Sequence, residues 1–300
     1  MIRALRFDDI SRDYIALTKP KIVLLLVFTC VTSMIVAADA FPPVDIFAFT
    51  ILGGLLSAGG SSAINQYLDR ELDAKMARTA RRPIPSGRIP ARNALIFGWA
   101  LVAWSVFVLG VFVNWLAAGL ALAGALYYVV IYTIVLKRNT VVNILIGGGA
   151  GAFPVLVGWA AATGAIELQA FILFAIVFYW TPPHSWALAI LVNKDYAAAE
   201  IPMMPVARGE SMTRFQILLY AIQLVIISLT PGFLLLLPQA PIMLDRFYLL
   251  SAAWLGLLLI WLAIKLIRQA DKATARILYK YSSLYLALLF LAMIIDRLLL

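Results

Sequence analysis

Charge-free apolar stretches long enough to cross a bilayer recur along almost the whole sequence. Residues 22–38 and 46–68 carry no charge, and residues 93–136 run uncharged over a length that fits two helices, with a turn placed at Asn114. Residues 139–166 and 168–193 hold one helix each. A seventh lies within 215–244, ending near Leu237-Pro238, and an eighth within 247–264. The ninth, 277–300, is the least regular, with Lys280 at its start and Asp296 and Arg297 near its end. A spanning helix needs about 20 mostly apolar residues. A chain that is 64% hydrophobic and 13% charged has no globular interior large enough to hide that surface. The expected architecture is an all-α integral membrane protein of nine transmembrane helices, organised as one domain over residues 1–300.

The net charge of +9 is explained by where the basic residues fall. Arg3, Arg6, Arg12, Lys19 and Lys21 precede the first span. The 2–3 connection holds Arg70, Lys75, Arg78, Arg81, Arg82, Arg88 and Arg92, and the 4–5 connection Lys137 and Arg138. Lys194, Arg208 and Arg214 lie in the 6–7 connection, and Lys265, Arg268, Lys272, Arg276 and Lys280 in the 8–9 connection. Of the 24 Lys and Arg only Arg246 and Arg297 fall on the other side. Positive residues mark the cytoplasmic face, so residues 1–21 form a cytoplasmic N-terminal segment and the C-terminus lies outside. Ala38-Asp39-Ala40 faintly resembles a signal-peptidase site. The acids Asp8, Asp9 and Asp13 ahead of the apolar run argue against cleavage, and the absence of an acid-free Arg- and Ser-rich leader favours a bacterial cytoplasmic membrane. A single cysteine (Cys30) and a single histidine (His184) exclude an internal disulfide and a multi-histidine metal centre. Nucleic acid is not an expected partner; the lipid bilayer is.

Two inward connections, 69–92 and 193–214, are too long to be mere links and are the candidate active-site loops. In the first, Asn65, Asp69 and Asp73 stand at i, i+4 and i+8 and share one face of a helix continuing the second span. Like charges at that spacing repel. Two carboxylates and an amide in line therefore invite a cation, and hard oxygen ligands suit Mg²⁺ shared with substrate phosphates. Lys75, Arg78, Arg81 and Arg82 follow closely enough to hold an anion beside it. The competing reading is a solvated helix end with pairs such as Asp69 with Arg70 or Asp73 with Lys75, and Glu71 points away from the acidic face. The end of the sixth span contains Pro182-Pro183-His184, and the second connection opens with Asn193-Lys194-Asp195-Tyr196. Both connections end in a proline pair with Gly and Arg nearby, a loose match suggesting two four-helix pseudo-repeats plus a ninth helix.

Asn65-x3-Asp69-x3-Asp73, continuing into Met76-x-Arg78-Thr79-x2-Arg82-Pro83, resembles the first aspartate-rich motif of UbiA-type intramembrane prenyltransferases. Pro182-Pro183-His184-x-Trp186 with Asp195-Tyr196-x5-Pro202-Met203-x-Pro205 is similar to the haem-modifying branch of that family. The likeness runs from Thr18-Lys19-Pro20-Lys21 through Arg214. It departs in two places: Ala199 stands where other branches carry a second acid, the next being Glu200, and Ser185 replaces a bulkier aromatic.

The resemblance implies transfer of a farnesyl group from farnesyl diphosphate to a vinyl group of haem B, with Mg²⁺ as cofactor and haem-handling or oxidase-assembly proteins as further partners. It implies Asn65, Asp69, Asp73 and Asp195 as catalytic residues, with Asn65, Asp69 and Asp73 around the metal. Lys75, Arg78, Arg82 and Lys194 would bind diphosphate, and His184 and Tyr196 haem. From the residues alone, His184 is equally readable as a hydrogen-bonded structural histidine and Tyr196 as a packing aromatic. Trp180, Trp186, Tyr127 and Tyr128 read as packing or interfacial residues, and Asn143 with Gly147–Gly151 as a site of close helix contact. A quinone-precursor or chlorophyll-type acceptor, a secondary transporter and an assembly subunit are the alternatives.

Overall fold

The computed structural model describes residues 7–233 and 244–299 and is helical throughout, with no strand among them. A short helix, α1 (Phe7–Leu17), precedes the first span, α2 (Pro20–Ala38). The second span is α3 (Val44–Leu68), followed by the six-residue α4 (Arg70–Lys75), and the third is α5 (Ala91–Phe112). The fourth begins as α6 (Trp115–Leu126) and continues as a π-helix (Tyr127–Leu136). The fifth is split at Gly148 into α7 (Asn143–Gly147) and α8 (Gly149–Thr163). Then come α9 (Leu168–Leu191), the six-residue α10 (Asn193–Ala198), α11 (Met204–Phe233), α12 (Arg246–Gln269) and α13 (Lys272–Leu298). Nine of these, counting α6 with its π-helical continuation and α7 with α8 as one span each, are long and apolar enough to cross a membrane. This is a multi-pass membrane protein.

The expected turn at Asn114 is present. Its side-chain oxygen accepts from Ala117 N at 2.8 Å, capping α6, while its amide donates to Ala160 O at 2.8 Å. The seventh span differs from expectation at its start. It starts at Met204 rather than 215, because the chain re-enters helix beyond Gly209, whose positive φ of 80° breaks the regular geometry inside α11. Its expected end near Leu237-Pro238 lies outside the described residues, as do Arg3 and Arg6.

Two of the three charges that made the ninth span irregular, Asp296 and Arg297, are used. Asp296 is buried and accepts from the backbone N–H of Asp245 (2.6 Å) and Tyr248 (3.0 Å), satisfying donors at the start of α12. Arg297 pairs with Asp39 at 2.8 Å.

Packing follows two matched sets. The second and third spans pack closely, as do the sixth and seventh, and the first and fifth lie against each other. A Cβ on Gly60 would come within 2.6 Å of Gly98 O, so α3 and α5 approach as closely as backbones allow. The two six-residue helices, α4 and α10, occupy equivalent places, each one residue after the second helix of its set. The pseudo-repeat is therefore visible in the chain path itself. The ninth span, α13, packs against α2, α9 and α12 and joins the two sets.

Candidate active site

The acidic row is assembled almost as its spacing predicts, with one correction. The helix is not continuous: α3 ends at Leu68, Asp69 adopts φ −90° and ψ 3°, and α4 restarts at Arg70. The i→i+4 bonds nevertheless bridge the break, Asp69 N to Asn65 O at 2.9 Å and Asp73 N to Asp69 O at 2.7 Å. The three side chains stay aligned and leave solvent almost completely, at 3% exposure for Asn65, 0% for Asp69 and 1% for Asp73. Buried carboxylates require partners. Asp73 takes Arg82 at 2.7 Å, and Asp69 takes the ammonium of Lys137, with Arg138 at 3.9 Å. The solvated-helix pairs considered from sequence do not form: Arg70 instead meets the exposed Glu71.

Lys137 is a functional candidate that sequence reasoning missed, and the π-helix explains how it arrives. Its i→i+5 bonding, closed by Lys137 N to Tyr132 O at 2.8 Å, stacks residues five apart on one face. Tyr128, Thr133 and Arg138 form one such row, and Tyr132 and Lys137 another. Thr133 Oγ1 accepts from Asn65 Nδ2 at 3.1 Å, Arg138 donates to Leu68 O at 2.9 Å, and Tyr128 OH lies 3.4 Å from Lys19 Nζ. Tyr128, read from sequence as a packing or interfacial ring, therefore stands at the site, its ring stacked on Tyr132 with centroids 5.6 Å apart.

Lys19 was also missed. It sits at φ 52°, ψ 58°, a left-handed conformation costing a non-glycine residue roughly 1–2 kcal/mol, between α1 and α2. The segment before it is tied down at two points, by Gln66 Nε2 donating to Leu17 O at 2.8 Å and by the Asp13–Arg88 pair at 2.9 Å. Lys19 Nζ thereby reaches Asn65 Oδ1 at 2.8 Å. Burial, with Arg82 and Lys137 nearby, pulls its ammonium down to about 7.

These contacts fix the Asn65 amide. Lys19 only donates and the Asp69 carboxylate only accepts, so Oδ1 faces Lys19 and Nδ2 faces Asp69 Oδ2, at 2.8 Å each. The second oxygen of Asp69, Oδ1, is buried with no hydrogen bond. Among the described residues no three His, Cys, Asp or Glu side chains stand close enough to hold a metal alone. Two carboxylates with an unspent oxygen suit Mg²⁺ shared with a substrate's phosphates rather than an all-protein cage.

The other expected residues divide. Arg82 is in the cluster. Lys75 and Arg78 are exposed beside it, and Lys194 is exposed on α10. Burial pushes the Tyr196 phenol up, Tyr132 adds to that, and Arg78, Lys137 and Arg82 oppose it, so Tyr196 brings the 6–7 connection into the same electrostatic neighbourhood. The Asp195 carboxylate makes no ion pair or hydrogen bond among the described residues and does not join Asp69 and Asp73 as a metal-ligating group.

His184 lies on α9 between two rings, Trp180 at 4.4 Å and Tyr279 at 4.7 Å. Ser282 Oγ donates its proton to Tyr279 O at 2.8 Å and therefore accepts from His184 Nδ1 at 2.8 Å. The proton is thus on Nδ1, and the lone pair is left on Nε2. Trp180, expected to pack, also donates to Ser282 O at 2.6 Å. Trp186 is buried against Tyr220, as expected of packing. Cβ atoms on Gly147 and Gly148 would strike Tyr132 and Thr181, and one on Gly149 would sit 3.1 Å from Tyr127, so the close-contact reading holds for these three, whereas a Cβ on Gly151 would meet nothing within 4 Å. Asn143 bonds Lys137 O at 3.4 Å.

The profile of the UbiA prenyltransferase family matches residues 26–292. The chain belongs to the UbiA prenyltransferase family. It is 52% identical to a protoheme IX farnesyltransferase of Roseiflexus sp. (strain RS-1), over 96% of this chain and 53% of that protein. With the protoheme IX farnesyltransferase of Symbiobacterium thermophilum the identity is 46%, over 97% of this chain and 96% of the relative. The chain spans about half the length of several of the curated relatives it matches. Among solved structures, a digeranylgeranylglyceryl phosphate synthase superposes with a TM-score of 0.78 at 18% identity, covering 96% of this chain and 99% of that one. A UbiA homolog from Archaeoglobus fulgidus bound to DMAPP and Mg²⁺ gives 0.63 at 13%, covering 94% and 99%. These likenesses establish the nine-span fold. Family membership favours the prenyltransferase reading of the sequence over the transporter and assembly-subunit readings.

Proposed function

We propose that this chain transfers the farnesyl group of farnesyl diphosphate to a vinyl group of haem B, releasing diphosphate and giving haem O for terminal-oxidase cofactor assembly. The observation that carries the reading is the pairing of the buried Asn65–Asp69–Asp73 row with 46–52% identity to protoheme IX farnesyltransferases over nearly the whole chain. Asp69 and Asp73 would hold Mg²⁺, which supplies charge neutralisation for the departing diphosphate. Asn65, its oxygen committed to Lys19, acts by orienting Asp69.

Arg82 and Lys137 are the nearest cations for phosphate oxygens, with Arg78, Lys75 and Lys194 at the rim. Breaking the C1–O bond leaves an allylic cation, for which the Tyr128 and Tyr132 rings offer π-faces. The vinyl group attacks C1, and water adds to the cation formed on the haem side chain and gives up a proton to the departing diphosphate. His184, with a free Nε2 and a ring held on both faces, is suited to ligating haem iron and so aiming the vinyl group, and Tyr196 closes the pocket from the 6–7 connection. Asp195, on the same short helix as Tyr196, would assist from that connection. The N-terminus and the connections 69–92 and 193–214 lie on the cytoplasmic side of a bacterial inner membrane. Supplying the purified chain in liposomes with haem B, farnesyl diphosphate and Mg²⁺, and identifying the product by mass, tests the proposal.

A further inference from the structure

Each member of the acidic row already holds a cation of its own. Lys19 is 2.8 Å from Asn65 Oδ1, Arg82 is 2.7 Å from Asp73, and Lys137 is paired with Asp69. The three come from three parts of the chain: the residue before the first span, the 2–3 connection and the end of the fourth span. Such convergence is more than stabilising one short helix requires. We propose that Arg82 and Lys137 are resident counter-ions which metal and diphosphate displace together, so that the site retains neither ligand alone. This deepens the diphosphate reading given above and rests on it.

Every buried charge in this row must keep a partner. Asp69 and Asp73 are 0% and 1% exposed, and a buried carboxylate stripped of its partner is strongly disfavoured. A divalent cation arriving alone meets an ammonium and a guanidinium already on the oxygens it needs. A diphosphate arriving alone would draw Lys137 and Arg82 away and orphan both carboxylates beside a new anion. When the two arrive together every charge keeps a partner: the carboxylates gain the metal while the lysine and arginine gain phosphate oxygens. The burial pattern allows such an exchange. The carboxylates are shut in, whereas the side chains of Lys137 and Arg82 keep 11% and 26% of their surface and so have room to swing. Asp69 Oδ1, buried and without a hydrogen bond, has Arg138 at 3.9 Å and is an acceptor that Lys137 leaves unsatisfied.

The test uses Mn²⁺, followed by its electron paramagnetic resonance, and inorganic diphosphate, with the purified chain in nanodiscs. Wild type should bind Mn²⁺ alone weakly, and saturating diphosphate should tighten that binding by about tenfold or more. Mn²⁺ should tighten diphosphate by the same factor, since coupling is reciprocal. Lys137→Met should bind Mn²⁺ alone about tenfold more tightly than wild type and lose most of the coupling. Arg82→Met should behave likewise through Asp73, and Lys137→Arg should stay near wild type. The inference is overturned if wild type binds Mn²⁺ equally well with and without diphosphate, or if both methionine variants leave the Mn²⁺ affinity unchanged. A wild type that takes up no Mn²⁺ even with diphosphate would instead overturn the metal–diphosphate reading itself.

Discussion

Ser282 Oγ lies 2.8 Å from Nδ1 of His184, linking the ninth span to the sixth across 98 residues of sequence. Because that serine spends its proton on Tyr279 O, it fixes which imidazole nitrogen is free. The irregular ninth span therefore holds the His184 ring, the proposed haem ligand, rather than standing apart from it.

His184→Ala should weaken haem B binding by at least about tenfold, equivalent to about 1.4 kcal/mol, while binding of a non-hydrolysable farnesyl diphosphate analogue stays nearly unchanged. Titration of haem B followed by visible absorption, alongside the analogue titration, checks this. Wild-type haem affinity in the variant would make His184 purely structural.

Asp69→Asn and Asp73→Asn should give the opposite signature. Each removes a charge from the buried row, so turnover should fall about 10²–10³-fold or more with haem binding preserved. EDTA should reproduce the loss in wild type. Size-exclusion profiles matching wild type would confirm that the variants still fold, and full activity in EDTA would rule out the metal.

The distribution of basic residues requires the 2–3 and 5–6 connections to lie on opposite faces. Cysteines introduced at the exposed positions Ser86 and Ala165 should react with an impermeant maleimide from opposite sides of oriented vesicles. The native Cys30 is buried and contributes little background. Labelling of both from one side would contradict nine spans.

The backbone contact between α3 and α5 predicts a packing effect remote from the chemistry. Gly60→Val would place a side chain 2.6 Å from Gly98 O and 2.9 Å from Val102 Cγ2. Overpacking of this kind costs about 1–3 kcal/mol and should lower the thermal unfolding midpoint in detergent. An unchanged midpoint would show that the helices separate freely.

Much of this architecture was legible in the sequence because lipid imposes a simple rule: each span must be long and apolar. The row Asn65, Asp69 and Asp73 was legible because helical spacing alone aligns it. Lys19, Thr133 and Lys137 were not, since their roles depend on partners 46 to 68 residues away. Tyr128 was misread as packing because an α-helical register does not place it in line with Thr133; the π-helical register does. The break at Asp69 left no mark because the i→i+4 bonds survive it. Asp296 looked like a flaw in an apolar helix and proved to satisfy the start of α12, a role that appears only once the two helices are side by side.

The most direct measurement is an acceptor competition in one vessel. Purified protein in liposomes receives Mg²⁺, farnesyl diphosphate, haem B and an equimolar phenolic quinone precursor, and the products are resolved by mass. The account predicts one dominant product, heavier than haem B by a farnesyl and a hydroxyl group, with diphosphate released in equal amount and both abolished in Asp69→Asn. A farnesylated phenol with haem B left intact would contradict it.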